Sequence, residues 1–191
     1  MRPTSRTKLT RVRLGGAAAI LAGLCYGAAG YLDRPGISAF TGTLVSVLSM
    51  AIPALFLGGL LGLHIRLPLA PRTSLAGGAG FVLGCFGSVL GIVGSPGFLP
   101  ALYLQITEWW WVPFLAGLTL MGPSLSLKGG LRFLGAMVSI SGALGWVSLL
   151  TDSAFSGVLV PMRSVHVATA AAFCLSAVVW GAILMVTHED R

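Results

Sequence analysis

Charge is what this chain has least of. Only 9% of its 191 residues are Asp, Glu, Lys or Arg, against about 25% in an ordinary soluble domain. So few charges cannot cover a water-exposed surface, so lipid must cover much of it. Acids are scarcer still, five against twelve Lys and Arg. None of these charges lies deep inside a long apolar run. A central Asp, Lys or Arg costs about 2.5–3.5 kcal/mol on insertion scales and usually marks function. Its absence argues against a proton-coupled transporter, a voltage sensor and a retinal protein. It leaves room for a facilitator or a lipid-handling protein that works through shape.

Cysteine is sparse too. Cys25, Cys85 and Cys174 each fall near the middle of an apolar run. An odd number inside lipid argues against a disulfide framework, and such residues behave as small hydrophobes. A metal site would need further ligands at the same depth, and the runs hold no His, Asp or Glu there. His64 and His188 are candidates for a pair at one rim, but two interfacial histidines are more often just solvated. Ser124, after Gly122-Pro123, invites pairing with His166 as in an intramembrane serine protease. The two fall at opposite ends of their runs, about a bilayer apart, whereas nucleophile and base must be within hydrogen-bond reach. No phosphate loop, metalloprotease helix pair or CxxC motif occurs. No catalytic residue, cofactor or metal is assigned, and an enzyme is the least favoured class.

What is present is hydrocarbon. Hydrophobic residues make up 55% of the chain and the mean hydropathy is +0.92. The net charge of +7 resembles a nucleic-acid signature. That reading fails because the basic residues sit in the gaps between apolar runs, as the positive-inside rule requires. Six runs, about 14–32, 39–64, 75–94, 109–126, 132–150 and 165–187, can each cross a core of roughly 30 Å as a helix. The fold class is therefore all-α: one transmembrane bundle over residues 1–191, in three two-helix hairpins. With the basic tail 1–13 inside, ten Lys and Arg fall on the inner side and only Arg34 and Arg163 outside. Both termini are thus expected to be cytoplasmic, in a multi-pass protein of the plasma membrane. The first run is read as a retained span, because a cleaved signal has a shorter apolar core. Trp109, Trp110 and Trp111 are read as anchors at the outer headgroup level, with Tyr103 and Tyr31.

Glycine supplies the most regular pattern. Gly77, Gly80, Gly84, Gly87, Gly91 and Gly94 alternate spacings of three and four, which places them on one stripe of the third helix. Shorter stripes run through Gly16, Gly23, Gly27 and Gly30 in the first helix, and through Gly135, Ser139, Gly142 and Gly145 in the fifth. Small residues let helix backbones approach closely in lipid. The odd helices are therefore expected to pack on one another, with the third central. The bulkier even helices, bearing Met50, Leu55, Phe56, Phe114, Met121, Phe173 and Trp180, are expected to face lipid or fill outer grooves. Pro53 should kink the second helix.

Two further features stand out. Residues 38–45 (SAFTGTLV) are echoed at 153–160 (SAFSGVLV), identical at six of eight positions. Each copy follows an odd helix and its terminal acid, Asp33 or Asp152. This suggests a plan shared by the first and last hairpins, with 153–162 as a short interfacial segment. Asp33, Arg34, Glu108, Asp152, Arg163 and His166 all map to the outer rim, as a polar vestibule or as solvated loop charges. The expected function is non-enzymatic binding or transport of a small or amphipathic molecule. The alternative is an anchoring or regulatory subunit. The expected partners are the bilayer and a second copy or membrane subunit, with no nucleic acid.

Overall fold

The computed structural model describes residues 5–32, 39–66, 74–94, 109–126, 131–151 and 163–186, without the side chains of 5, 6, 39–41, 163 and 164. Among these residues the chain is all-helical: α1 Ser5–Leu32, α2 Ala39–Arg66, α3 Leu75–Val93, α4 Trp111–Ser126, α5 Arg132–Thr151 and α6 Arg163–Val186. Five of the six, all but α4, are long and apolar enough to cross a membrane, which makes this a multi-pass helical membrane bundle. α4 has 16 residues, about 24 Å at 1.5 Å per residue. The echoed segment 153–160 and the expected interfacial stretch 153–162 lie outside the described residues, whereas all of the partner segment but residue 38 lies in the first turns of α2.

The apolar runs locate the helices closely, with one difference. α1 starts at Ser5, nine residues before the apolar run. No Gly or Pro occurs between Ser5 and Leu14, so nothing in the local sequence stops the helix where the charges begin. At α3 the start is set by Ser74, whose Oγ accepts the Gly77 N–H at 3.1 Å, the usual N-cap bond. α2 continues on both sides of Pro53, which is buried.

The helices form a closed ring in chain order. α1 packs on α2, α2 on α3, α3 on α4, α4 on α5 and α5 on α6, and α6 returns to α1. Neighbours run antiparallel in a fixed register. Along α3 and α4, Gly80 meets Met121, Gly84 meets Gly117, Gly87 meets Phe114 and Gly91 meets Trp110. Along α4 and α5, Leu115 meets Gly145, Thr119 meets Gly142, Gly122 meets Ser139 and Ser126 meets Gly135. At one end of the ring lie Lys8, Arg11 and Arg13 of α1, Arg66 of α2 and Arg132 of α5. We call this the basic end.

The packing overturns the expected arrangement of odd and even helices. No two odd helices form a packed pair among the described residues; each lies between two even ones, and α3 is a ring member rather than a centre. Most of the large side chains named on the even helices turn inward, although Met50 and Leu55 are half-buried and Leu61 and Leu175 stay exposed. Phe56, Leu60, Phe114, Met121, Phe173 and Trp180 are fully buried. The physical reason is that a glycine leaves a hole, and a hole is best filled by a knob. Leu60 fills the one at Gly84, Leu115 the one at Gly145 and the Trp180 ring the one at Gly59. Where a glycine does not meet another backbone, an unfilled hole would forfeit dispersion contacts. Elsewhere the backbones themselves come close, as at Gly15 with Gly62, Gly16 with Gly181, Gly117 with Gly80 and Gly84, Gly87 with Phe114, and Gly122 with Ser139.

The α3 stripe shows how a 3.5-residue period serves two neighbours. Gly77, Gly80, Gly84, Gly87, Gly91 and Gly94 are all buried. Gly80 and Gly87, seven residues apart, receive α4, while Gly84 and Gly91 receive Leu60 and Pro53 of α2, Gly91 meeting Trp110 as well. On α1, Gly23 lies against Cys174 and Gly27 near its Sγ, so that stripe faces α6. On α5, Gly135 and Gly142 face α4.

Candidate functional site

Three phenylalanines, one from each even helix, meet near the ring axis. The Phe56 ring centroid is 4.8 Å from that of Phe114 and 5.7 Å from that of Phe173. Toward the end opposite the basic one, two more aromatic rings join them. Trp111 lies edge-on to Phe56, Phe114, Phe173 and Tyr26, with centroids 5.1–6.2 Å apart. Tyr26 also meets Phe173 edge-on at 5.6 Å. Edge-to-face packing suits the ring quadrupoles and adds about 0.5–1.5 kcal/mol per pair. The rings already touch one another, so they form a wall rather than a cage with room between the faces.

This wall closes one side of a cavity of about 40 Å³. Tyr26, Trp111 and Phe173 supply the aromatic surface, Leu115 and Leu149 the aliphatic, and Ser148 and His166 the polar. By that measure one water needs roughly 10–15 Å³, so the space fits two or three heavy atoms.

His166 stands on the first turn of α6. Its Nδ1 is 3.0 Å from the backbone oxygen of Ser148 and 3.5 Å from the Ser148 Oγ. A carbonyl only accepts, so Nδ1 carries the proton and donates. The other ring nitrogen, Nε2, is the one that this bond leaves unused. Ser148 lies in the last turn of α5, where the helix cannot satisfy its own carbonyls. His166 therefore caps α5 from the neighbouring helix. Thr151 Oγ1 gives the same carbonyl a second bond at 3.1 Å. Among the described residues Nε2 has no partner.

Below the aromatic layer, α5 and α6 are joined by a buried hydrogen bond from Ser141 Oγ to Ser176 Oγ at 2.7 Å. Nearer the basic end, Trp180 is wholly buried and, among the described residues, its Nε1 has no hydrogen-bond partner.

Of the six residues assigned to the outer rim, only His166 has a described side chain, and it turns into the cavity. Asp33, Arg34, Glu108 and Asp152 lie outside the described residues, as does the Arg163 side chain. The three tryptophans divide. Trp109 is 60% exposed, as an anchor would be, whereas Trp110 is 6% exposed against Gly91 and Trp111 lines the cavity. The turn that opens α4 causes this, with Val112 N–H donating to Trp109 O and Phe114 N–H to Trp110 O.

His64 stacks on Phe81 at 3.9 Å, and its expected companion His188 is outside the described residues. Ser124 Oγ donates to Met121 O at 2.9 Å within its own helix, while His166 engages Ser148. The three cysteines are free thiols, and the described residues contain no group of three or more His, Cys, Asp or Glu that could hold a metal. Sequence reasoning missed Tyr26, Trp111 as a cavity residue, Ser148 and Phe173. The one available signal was depth: Ser148 and His166 each lie about one turn from the facing ends of consecutive helices.

No protein-family description, curated protein or solved structure matches this chain.

Proposed function

We propose that this protein binds, without covalent chemistry, a small molecule whose head donates a hydrogen bond, in the cavity between α1, α4, α5 and α6. The observation that carries the reading is the 3.0 Å hydrogen bond from His166 Nδ1 to the Ser148 carbonyl, at the edge of an otherwise apolar and aromatic cavity. In our reading the imidazole binds its ligand as the neutral ring, with Nε2 as the acceptor. Apolar walls with a few placed polar groups are the common form of a small-molecule site. The acceptor favours an amine or hydroxyl head over a carboxylate, and the volume limits that head to two or three heavy atoms. Phe56, Phe114 and Phe173 fill the axis below, which supports binding rather than open conduction. The Ser148 Oγ lies too far from Nδ1 to support an activated nucleophile.

The reading includes six spans, with α4 the sixth, in the plasma membrane and with the basic end cytoplasmic. Two facts support it. α4 is in register with α3 and α5 along its length, and the described cationic side chains gather at one end, as the positive-inside rule expects.

The test is titration of the reconstituted protein with short primary amines and alcohols, read by tryptophan fluorescence. Saturable quenching that disappears in Trp111→Phe and weakens in His166→Phe is expected. Equal response in wild type and His166→Phe would refute the reading.

A second reading, an anchoring or regulatory subunit, is favoured by one observation. The first turns of α2 are exposed on nearly every face, including Gly42, Thr43, Leu44, Ser46, Val47 and Ser49. Ser46 satisfies its own hydroxyl on Gly42 O, so that side chain asks nothing polar of a neighbour. Efficient Ser46→Cys cross-linking to another chain in native membranes would favour this reading over the first.

A further inference from the structure

α1 is 28 residues long, about 42 Å at 1.5 Å per residue. The stretch Leu14–Leu32 alone accounts for roughly 28 Å, close to the roughly 30 Å hydrocarbon core. The turns Ser5–Arg13 therefore continue as helix into the headgroup layer. That layer is about 5–7 Å deep on each side. Arg13, Arg11 and Lys8 stand about 1.5, 4.5 and 9 Å beyond Leu14 along the axis, and all three are exposed.

α1 is also held in place at this depth. The backbones of Gly15 and Gly62 touch, which pins α1 to α2 just inside the boundary. Arg11 and Arg66 each lie four residues past that crossing, so two cations share one level, about 6 Å out. The described residues include no Asp or Glu. In the sequence only Glu189 and Asp190 follow a helix that ends at this side.

We infer that Lys8, Arg11 and Arg13 form a docking surface for the phosphate headgroups of anionic phospholipids in the leaflet at the basic end. Depth and rigidity carry this. The cations are built into a helix that is packed on its neighbour: Arg13 and Arg11 stand within the headgroup layer, and Lys8, just past its outer edge, is within reach of it through its long flexible stem. A soluble polyanion would have to reach into the headgroup layer to meet Arg11 and Arg13. The inference does not depend on the cavity or on its ligand.

The test uses the full-length chain in mixed micelles of phosphatidylglycerol and phosphatidylcholine, with bound lipid counted by native mass spectrometry after delipidation. Each cation near an anionic surface strengthens binding by roughly fivefold. The wild type should therefore retain phosphatidylglycerol strongly over phosphatidylcholine. The triple variant Lys8→Gln, Arg11→Gln, Arg13→Gln should lose on the order of 100-fold in that preference at low salt. The charge-keeping variant Arg11→Lys, Arg13→Lys should retain it, and so should Arg132→Gln at the start of α5. Millimolar inorganic phosphate should leave the bound lipid in place. Equal retention of the two lipids by wild type would overturn the inference. So would an unchanged preference in the triple variant, loss of preference in Arg132→Gln, displacement by free phosphate, or co-purification of nucleic acid in place of lipid.

Discussion

Adding a single methyl group at Gly117 tests the ring more sharply than any deletion. A Cβ there would press on the Gly84 backbone nitrogen and lie 2.6 Å from both Gly80 O and Gly84 Cα. All three are backbone atoms of α3, so no side chain can rotate away. The helices must part by about 0.5–1 Å, which forfeits a quarter to a half of each contact well. Four register pairs join α3 to α4, from Gly80–Met121 to Gly91–Trp110. If each brings on the order of ten atom contacts of about 0.1–0.2 kcal/mol, the seam holds about 4–8 kcal/mol and loses about 1–4 kcal/mol. Overpacking in general costs about 1–3 kcal/mol.

The control is Gly30→Ala, because a Cβ at Gly30 meets nothing within 4 Å. That change should be neutral or stabilise by up to about 1 kcal/mol through helix propensity. For a chain of this size the two alanine variants should melt roughly 5–10 °C apart. The assay is loss of the monodisperse peak on size-exclusion chromatography after heating in detergent. Melting temperatures within about 2 °C of each other would refute the close α3–α4 seam.

Three further outcomes are expected. Trp180→Phe removes the partnerless buried N–H and should cost less than about 1.5 kcal/mol, because the lost volume is offset by relief of an unmet donor; Trp180→Ala should cost about 3–5 kcal/mol in the same melting assay. A double-mutant cycle of Ser141→Ala and Ser176→Ala should give a coupling near 0.6 kcal/mol and below about 1.7 kcal/mol, the range found for hydrogen bonds between membrane helices. Reporter fusions at Lys128 and at Gly157 should report opposite sides of the membrane; the same side for both would rule out six spans.

The sequence by itself determined that the chain is a helical membrane bundle and where each helix lies. In lipid, length and hydropathy are the selection rule, because an unpaired backbone group has no water to bond. Runs of apolar residues therefore mark helices to within a few positions. The α3 stripe was legible for the same reason, since a 3.5-residue period is a property of the helix and needs no partner. The cavity was not. Sequence order puts Ser148 and His166 near each other, but nothing in it points the imidazole at the carbonyl or sets Tyr26 beside Trp111.

Tertiary structure alone decided which faces turn inward. Val82, Phe86 and Val89 on α3 are exposed, yet they are as apolar as the buried Phe56 and Phe173. When the surrounding solvent is itself hydrocarbon, polarity no longer labels inside and outside. The faces are then chosen by shape, by which knob fills which glycine hole, and shape complementarity exists only between helices already brought together.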